Sequence, residues 1–289
     1  MALSRTMPLV ETSERASTDL FREVLREVRE LRRGFENWLA LTLAIAISRL
    51  EGRPAALQMR ARRGPILQTP SGDRSWWTAV ECFGRDCYRL QEQGLPPAPT
   101  VVDIGANIGS FTLAVLALRP RAHVTAYEAS PAAIRTLTAN LAANGVASRV
   151  QVEHRAVTGR AEVDTVWLSE HEGDLCTSSI VGLGRDTFTT SARIEVPSTS
   201  LSAVLASHPD GIDLLKMDVE GAEFEIVKAT PAEQLASVAR VVIEYHDVPG
   251  HRVEELAERL GAAGLVWERQ EHSNRAGQGL AWWVRETGP

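Results

Sequence analysis

From Thr100 onward the sequence alternates between short β-branched apolar runs and segments with helical spacing, and that rhythm allows few folds. Val101–Ile104, His123–Tyr127, Val150–Glu153, Ile212–Met217, Val241–Tyr245 and Leu280–Val284 read as strands. Ser110–Ala117, Pro131–Asn144, Ala222–Lys228 and Val253–Ala263 read as helices, the second closed by Gly145 as a C-cap. Parallel neighbours need a crossover, and a crossover helix covers the sheet. The expected fold is α/β: a Rossmann-like, mostly parallel sheet with helices on both faces.

Residues 1–99 lack this rhythm and form a helical and hairpin extension ahead of a main domain at 100–289, with Gly94–Thr100 (GLPPAPT) as the linker. Residues 1–15 read as disordered and Ser17–Arg33 as a helix that Gly34 interrupts. Trp38–Leu50 is apolar nearly all round, so it is expected to be buried against the main domain or a partner subunit, with a membrane-surface role as the minority reading. Its greasy part, Trp38–Ile47, is too short to span a bilayer. Ala56–Gln68, around Arg63-Gly64-Pro65, reads as a hairpin, and Trp76–Leu90 as a short helix containing Glu81.

Charge limits the partners. Residues 1–99 carry 15 arginines against 12 acids, a balance of +3; the rest carries 16 basic and 25 acidic residues, a balance of −9. An acidic body disfavours nucleic acid, whose affinity is mostly electrostatic, and fits a small neutral or cationic acceptor. The opening residues are polar and mixed in charge, with no signal-peptide pattern. Cys82, Cys87 and Cys176 are too few and wrongly spaced for a disulfide framework or a zinc site, as expected of a cytoplasmic chain.

The first strand of the main domain ends in Asp103 and runs into the turn Gly105-Ala106-Asn107-Ile108-Gly109-Ser110. In such sheets ligands bind beyond the carboxyl ends of the strands. Gly105 and Gly109 allow a ligand to approach the backbone, and the following helix offers free N–H groups. The turn lacks the middle glycine of a dinucleotide fingerprint and the Gly-Lys-Ser/Thr of a P-loop. An acid before the turn repels pyrophosphate and suits a cationic amino-acid end. Glu128 closes the second strand, 19 residues after Gly109, where an acid takes the hydroxyls of a ribose. An amine, a ribose and no phosphate describe S-adenosylmethionine.

The segments DIGANIG (Asp103–Gly109), YEAS (Tyr127–Ser130), Ala156-Val157 and KMDVEGAE (Lys216–Glu223) resemble the FkbM family of S-adenosylmethionine-dependent methyltransferases over roughly Gln58–Leu265. The resemblance implies a class I methyltransferase fold and mostly O-methylation, often of hydroxyls on microbial natural products or sugars. It places Asp103, Gly105, Asn107, Gly109, Ser110, Glu128, Ala129, Ala156 and Asp218 at the cofactor. One departure is Thr199-Ser200-Leu201-Ser202, where Ser202 stands near the family's usual Asp.

Methyl transfer asks the protein to hold the methyl near the nucleophile and to manage one proton. Asp218 ends the fourth strand and is expected to bind the acceptor or act as base. Lys216 is anomalous in a buried strand, doubly so in a chain with only two lysines, Lys216 and Lys228, among 31 basic residues. An ion pair with Glu244 accounts for it structurally; a place near the substrate accounts for it chemically. His246 is a further candidate base, weighed against a surface histidine, and His154 lies towards the adenine side. Glu220 and Glu223 suit a helix start. Asp218 and Glu244, with His246 and Asp247, are the groups to hold Mg²⁺ if a metal takes part. Glu170–Thr190 reads as a loop or hairpin over the pocket; Arg275, Trp282 and Trp283 either shape the acceptor site or, for the tryptophans, pack the core. The rival functions are a nicotinamide-dependent oxidoreductase, a non-catalytic cofactor-binding module and a nucleic-acid methyltransferase. The N-terminal helices are the expected surface for a homo-oligomer.

Overall fold

The computed structural model describes residues 10–62, 64–160, 163–171, 174–180, 192–246, 248–272 and 278–286. Arg63, Asp247, Arg275, Gly173, Gly182 and Gly184 lie outside the described residues. Seven strands form the central sheet: β1 (Thr100–Ile104), β2 (His123–Glu128), β3 (Val150–His154), β4 (Leu214–Met217), β5 (Arg240–Tyr245), β6 (Leu265–His272) and β7 (Gly279–Arg285). Their order across the sheet is 3-2-1-4-5-7-6, with β7 antiparallel to both neighbours and β1–β5 parallel. The order reverses between β1 and β4, so a crevice opens beyond the carboxyl ends of those two strands. This is the α/β, Rossmann-like sheet of the class I methyltransferases. Strand β6 was not anticipated: its run LVWERQEH carries too many polar residues to read as a strand, and antiparallel pairing with β7 decides it.

Helices α1 (Val10–Gly34) and α2 (Trp38–Glu51) precede the sheet; α3 (Ser110–Leu118), α4 (Pro131–Ala143), α5 (Glu223–Ala229) and α6 (Val253–Ala262) lie between or after its strands. Helix α1 starts well before the expected Ser17, and the supposedly disordered stretch supplies its first turns from Val10. It ends at Gly34, where a Cβ would come within 2.8 Å of the backbone of Gly84, so glycine is required by the close crossing. Trp76–Ala79 is α-helical and continues as a π-helical turn, Val80–Arg85. A second, four-stranded sheet gathers Ala156–Thr158, Thr165–His171, Asp174–Ile180 and Ala192–Ser200; the middle two pair antiparallel where the expected Glu170–Thr190 segment begins, and 181–190 of that segment lie outside the described residues. Ser200 caps the short helix Leu201–Ala206 by accepting from Ala203 N at 3.2 Å, which makes Ser202 a helical residue.

The core crosses the Gly94–Thr100 linker. Leu31, Phe35, Met59, Leu67 and Val80 share one apolar cluster with Val101, Phe111, Leu214 and Trp282, on one face of the sheet. Leu215, Met217, Ile243 and Trp283 pack the other face. Both tryptophans are therefore core residues. The hairpin Leu57–Arg60/Ile66–Thr69 is tied to α4 by two asparagines one turn apart. Asn140 Oδ1 accepts from Gln68 N and Asn144 Oδ1 from Ile66 N, each at 2.8 Å, and Asn140 Nδ2 also donates to Ile108 O at 2.9 Å. The extension is thereby anchored to the glycine turn itself. Among the described residues no helix is long and apolar enough to cross a membrane.

Candidate active site

The glycine turn is held from both sides by neighbouring strand ends. Gly105 N and Ala106 N donate to Tyr127 O, and Asn107 N donates to Glu128 Oε2 at 2.7 Å. Gly105, Asn107 and Gly109 all have positive φ (79°, 51° and 89°). A Cβ on Gly105 would lie 1.8 Å from the carbonyl oxygen of Asp218, and one on Gly109 2.5 Å from Leu137. The first contact is with backbone and cannot relax. The glycines are thus required by packing within the protein, which lets β1 and β4 end side by side.

Lys216 laces the turn from below. Its Nζ donates to Gly105 O at 2.7 Å and Ile104 O at 3.3 Å, and lies 3.2 Å from Asp103 Oδ1 and 3.9 Å from Asp218 Oδ2. The Asp103 contact is one of charge more than of aligned hydrogen bonding. Tyr88 and Phe111 flank the ammonium, each ring centroid 5.9 Å away. Burial disfavours the charge, but Asp103 and Asp218 outweigh it and lift the Lys216 pKa above the ordinary lysine range. The expected Lys216–Glu244 pair is not formed. A central strand has two neighbours, and the register sets Lys216 opposite Asp103 on β1.

Asp103 is correspondingly withdrawn from any ligand. It is wholly buried, meets Lys216, and accepts from Thr112 Oγ1 at 2.7 Å. It does not reach the cavity wall, so the anticipated contact with a cationic ligand end is not made by this residue.

A cavity of about 840 Å³ opens above the strand ends. One end is walled by Gly105, Asn107, Ser110, Glu128, Ala129 and Ala156. Glu128 Oε1 accepts from Ser130 N and Oε2 from Asn107 N, both at 2.7 Å. Burial raises its pKa, and these amides act against that. Ser110 is buried, with its Oγ 2.8 Å from Thr78 Oγ1. His154 Nε2 lies 3.1 Å from Ala129 O, at the exposed edge of the same end. The other end belongs to the N-terminal extension: Arg53, Trp76, Trp77, Glu81 and Tyr88 line it. The sequence offered no spacing that pointed to these residues.

Between the ends stand carboxyl groups. Asp218, Glu220, Glu244 and Glu81 all line the cavity. Glu220 holds a positive φ of 55°, a strained conformation for a non-glycine residue. Burial pushes Glu244 well above the usual carboxylate range, and Asp218 and Glu81 push the same way. Burial also raises Asp218, against Lys216 and His246. His246 is not a surface histidine: it is buried, with Nδ1 2.8 Å from Glu223 Oε1 and Nε2 3.4 Å from Glu220 Oε2. Burial opposes its charge, yet Glu223 and Glu220 raise its pKa well above normal. Glu223, wholly buried, also accepts from Val219 N and Gly221 N; burial works against its ionisation, but His246 holds it below the usual range. The pair ties α5 to the end of β5, and His246 does not reach the cavity wall.

The FkbM methyltransferase domain model matches residues 103–264, more than half of the chain. The chain belongs to the FkbM methyltransferase family. It is 32% identical over 207 residues to methyltransferase sdnD of Sordaria araneosa, covering 63% of this chain and 79% of that one. It is 30% identical over 237 residues to the 31-O-demethyl-FK506 methyltransferase FkbM of Streptomyces tacrolimicus, covering 74% and 90%. The solved methyltransferase FkbM of Methylobacillus flagellatus aligns with TM-score 0.43 at 13% identity, over 73% of this chain and 54% of that one.

S-adenosylmethionine is the cofactor expected of an FkbM-family methyltransferase, and the site's chemistry fits it. Beside the turn stands the Glu128 carboxylate, an acceptor suited to hydroxyls, and the turn's own amides are spent within the protein, which does not suit a phosphate. Magnesium fits less simply. Asp218, Glu223 and His246 each offer one donor atom, all within 4.8 Å of one another. Glu223 Oε1 and His246 Nδ1 are already spent on each other, although Glu223 Oε2 is buried without a hydrogen bond.

Proposed function

We propose that the protein transfers a methyl group from S-adenosylmethionine to a hydroxyl of a small molecule, a natural product or sugar moiety, in the cytoplasm. One observation carries the chemistry. Among the described residues Glu244 has no side-chain hydrogen bond or ion pair, yet its carboxyl faces the cavity between the cofactor end and the acceptor end. The Streptomyces relative is named for an O-demethyl substrate, which supports oxygen as the nucleophile.

The bound cofactor supplies a methyl on a sulfonium, already activated for in-line displacement. Glu128 takes the ribose hydroxyls, and Asn107, Ser110, Ala129 and Ala156 shape the pocket around the nucleoside. Asp218 orients the acceptor hydroxyl. The sulfonium would give its methyl to the acceptor oxygen and leave with the bonding pair as a neutral thioether, and Glu244 would take the hydroxyl proton. A carboxylate whose pKa is raised by burial is a stronger proton acceptor than an ordinary one. His246 and Lys216 act by holding the loop and the turn. The N-terminal extension forms the acceptor wall, with Trp76 and Trp77 as its apolar surface.

A magnesium-assisted form of the same reaction is the second reading, favoured by the unpartnered Glu223 Oε2 and the adjacent Asp218. Asp218 and Glu223, with His246 beside them, would then hold the ion in place of the anticipated Asp218–Glu244 pair, and chelation would abolish turnover.

The test is methyl transfer to a panel of hydroxyl, amine and carbon acceptors, with product linkage read by mass spectrometry. O-methyl products whose formation rises with pH in the wild type, with that pH limb lost in Glu244→Gln, support the reading. Products methylated only on nitrogen or carbon overturn it, as does hydride transfer with a nicotinamide cofactor.

A further inference from the structure

The N-terminal helical hairpin wears its polar and apolar faces the wrong way round for a monomer. On α1, Glu27 and Glu30 are buried and meet Arg49 at 2.6 Å and Arg85 at 2.8 Å. On the same helix Phe21 and Leu25 face outward. On α2 Leu41 and Ile45 are buried, with Trp38 and Ala44 packed against the same core. Leu39, Leu43, Ile47 and Leu50 stand in solvent, Leu50 with 89% of its surface exposed. Their spacing of four, four and three residues puts them on one stripe. The Arg49–Glu27 contact holds α2 against α1. Of the expected burial of α2 against the main domain or a partner subunit, one face is met within the chain, by Leu41 and Ile45, and the other face stands exposed.

The exposed parts of Phe21, Leu25, Leu39, Leu43, Ile47 and Leu50 amount to on the order of 700 Å². The largest apolar patch of a typical monomer is about 300–600 Å². A specific dimer buries about 600–1,000 Å² on each partner, and one such face meeting its like falls within that range.

We propose that a second copy of this chain covers the face, forming a two-fold dimer in which α1 and α2 of each copy pack on those of the other. Length favours a copy. Helix α1 has 25 residues against 14 in α2 and is joined to it at its C-terminal end. At about 1.5 Å per residue its N-terminal part reaches roughly 16 Å past α2, an arm suited to lie across a second hairpin.

The experiment is sedimentation velocity of the full chain from micromolar to submillimolar concentration. The wild type is expected at twice the 31.6 kDa chain mass. The double variant Leu43→Glu/Leu50→Glu should weaken association at least tenfold, with circular dichroism and S-adenosylhomocysteine affinity unchanged. Leu39→Gln/Leu43→Gln serves if the glutamates impair folding. Val266→Glu, at an exposed apolar residue elsewhere, should leave the dimer intact. A wild type that is monomeric throughout, or hairpin variants that fold and still sediment as dimers, overturns the proposal. Flotation of monomeric wild type with phosphatidylcholine/phosphatidylserine vesicles would also overturn it and assign the face to lipid.

Discussion

Replacing Lys216 by methionine isolates what the buried ammonium does. Methionine roughly keeps the stem's length and removes the charge, leaving Asp103 wholly buried with Thr112 as its hydrogen-bond donor and the carbonyl of Gly105 without its donor, while Ile104 O keeps the Asp218 N–H. Breaking one side of a buried ion pair costs about 3–5 kcal/mol. In a chain of this size that lowers the melting temperature by on the order of 10 °C. Lys216→Arg keeps the charge but forces a larger planar head between Tyr88, Phe111 and the turn, an overpacking cost of about 1–3 kcal/mol. This is why lysine stands here in a chain that otherwise uses arginine. The ammonium's pKa is raised, so its stabilisation is complete below the ordinary lysine range and is lost only as pH climbs through the raised value. The deficit should therefore be the same between about pH 6 and pH 9. Urea denaturation of the two variants and of Asp103→Asn/Lys216→Met measures it, and the double variant should recover much of the loss. A deficit under about 1 kcal/mol for Lys216→Met, or strict additivity in the double variant, refutes the reasoning.

Gly105→Ala should fail to fold or lose several kcal/mol, since its Cβ has only 1.8 Å to the Asp218 carbonyl oxygen; expression and melting temperature read this. Glu128→Gln should weaken S-adenosylhomocysteine binding roughly 10–100-fold in calorimetry while keeping the fold, because one carboxylate oxygen still accepts an amide. His246→Asn should cost about 3 kcal/mol near neutrality. That deficit should shrink as pH rises through the raised His246 value and as it falls through the lowered Glu223 value, since each partner then loses its charge. If the reaction needs no metal, turnover should survive dialysis against chelator; loss restored by Mg²⁺ would favour the second reading.

The local elements were legible in the sequence because their signals are local. β-Branched runs, helical spacing and the Gly105–Gly109 turn located β1 to β5, β7 and the mouth of the sheet, and Tyr127-Glu128 marked one wall of the cavity. What the tertiary structure decided were pairings across sequence distance. Lys216 could meet either neighbouring strand, and only the register chose Asp103 over Glu244. His246 sits past a strand end, a place that suits a surface residue, until α5 brings Glu223 to it from 23 positions away. Strand β6 has no apolar alternation to announce it and exists because β7 pairs with it. Residues 1–99 carry no motif, yet they share a core with the sheet and supply one end of the cavity. Periodicity reports which way a side chain points within its own element; which partner it meets there depends on strand order and register, and those are settled by packing the whole chain at once.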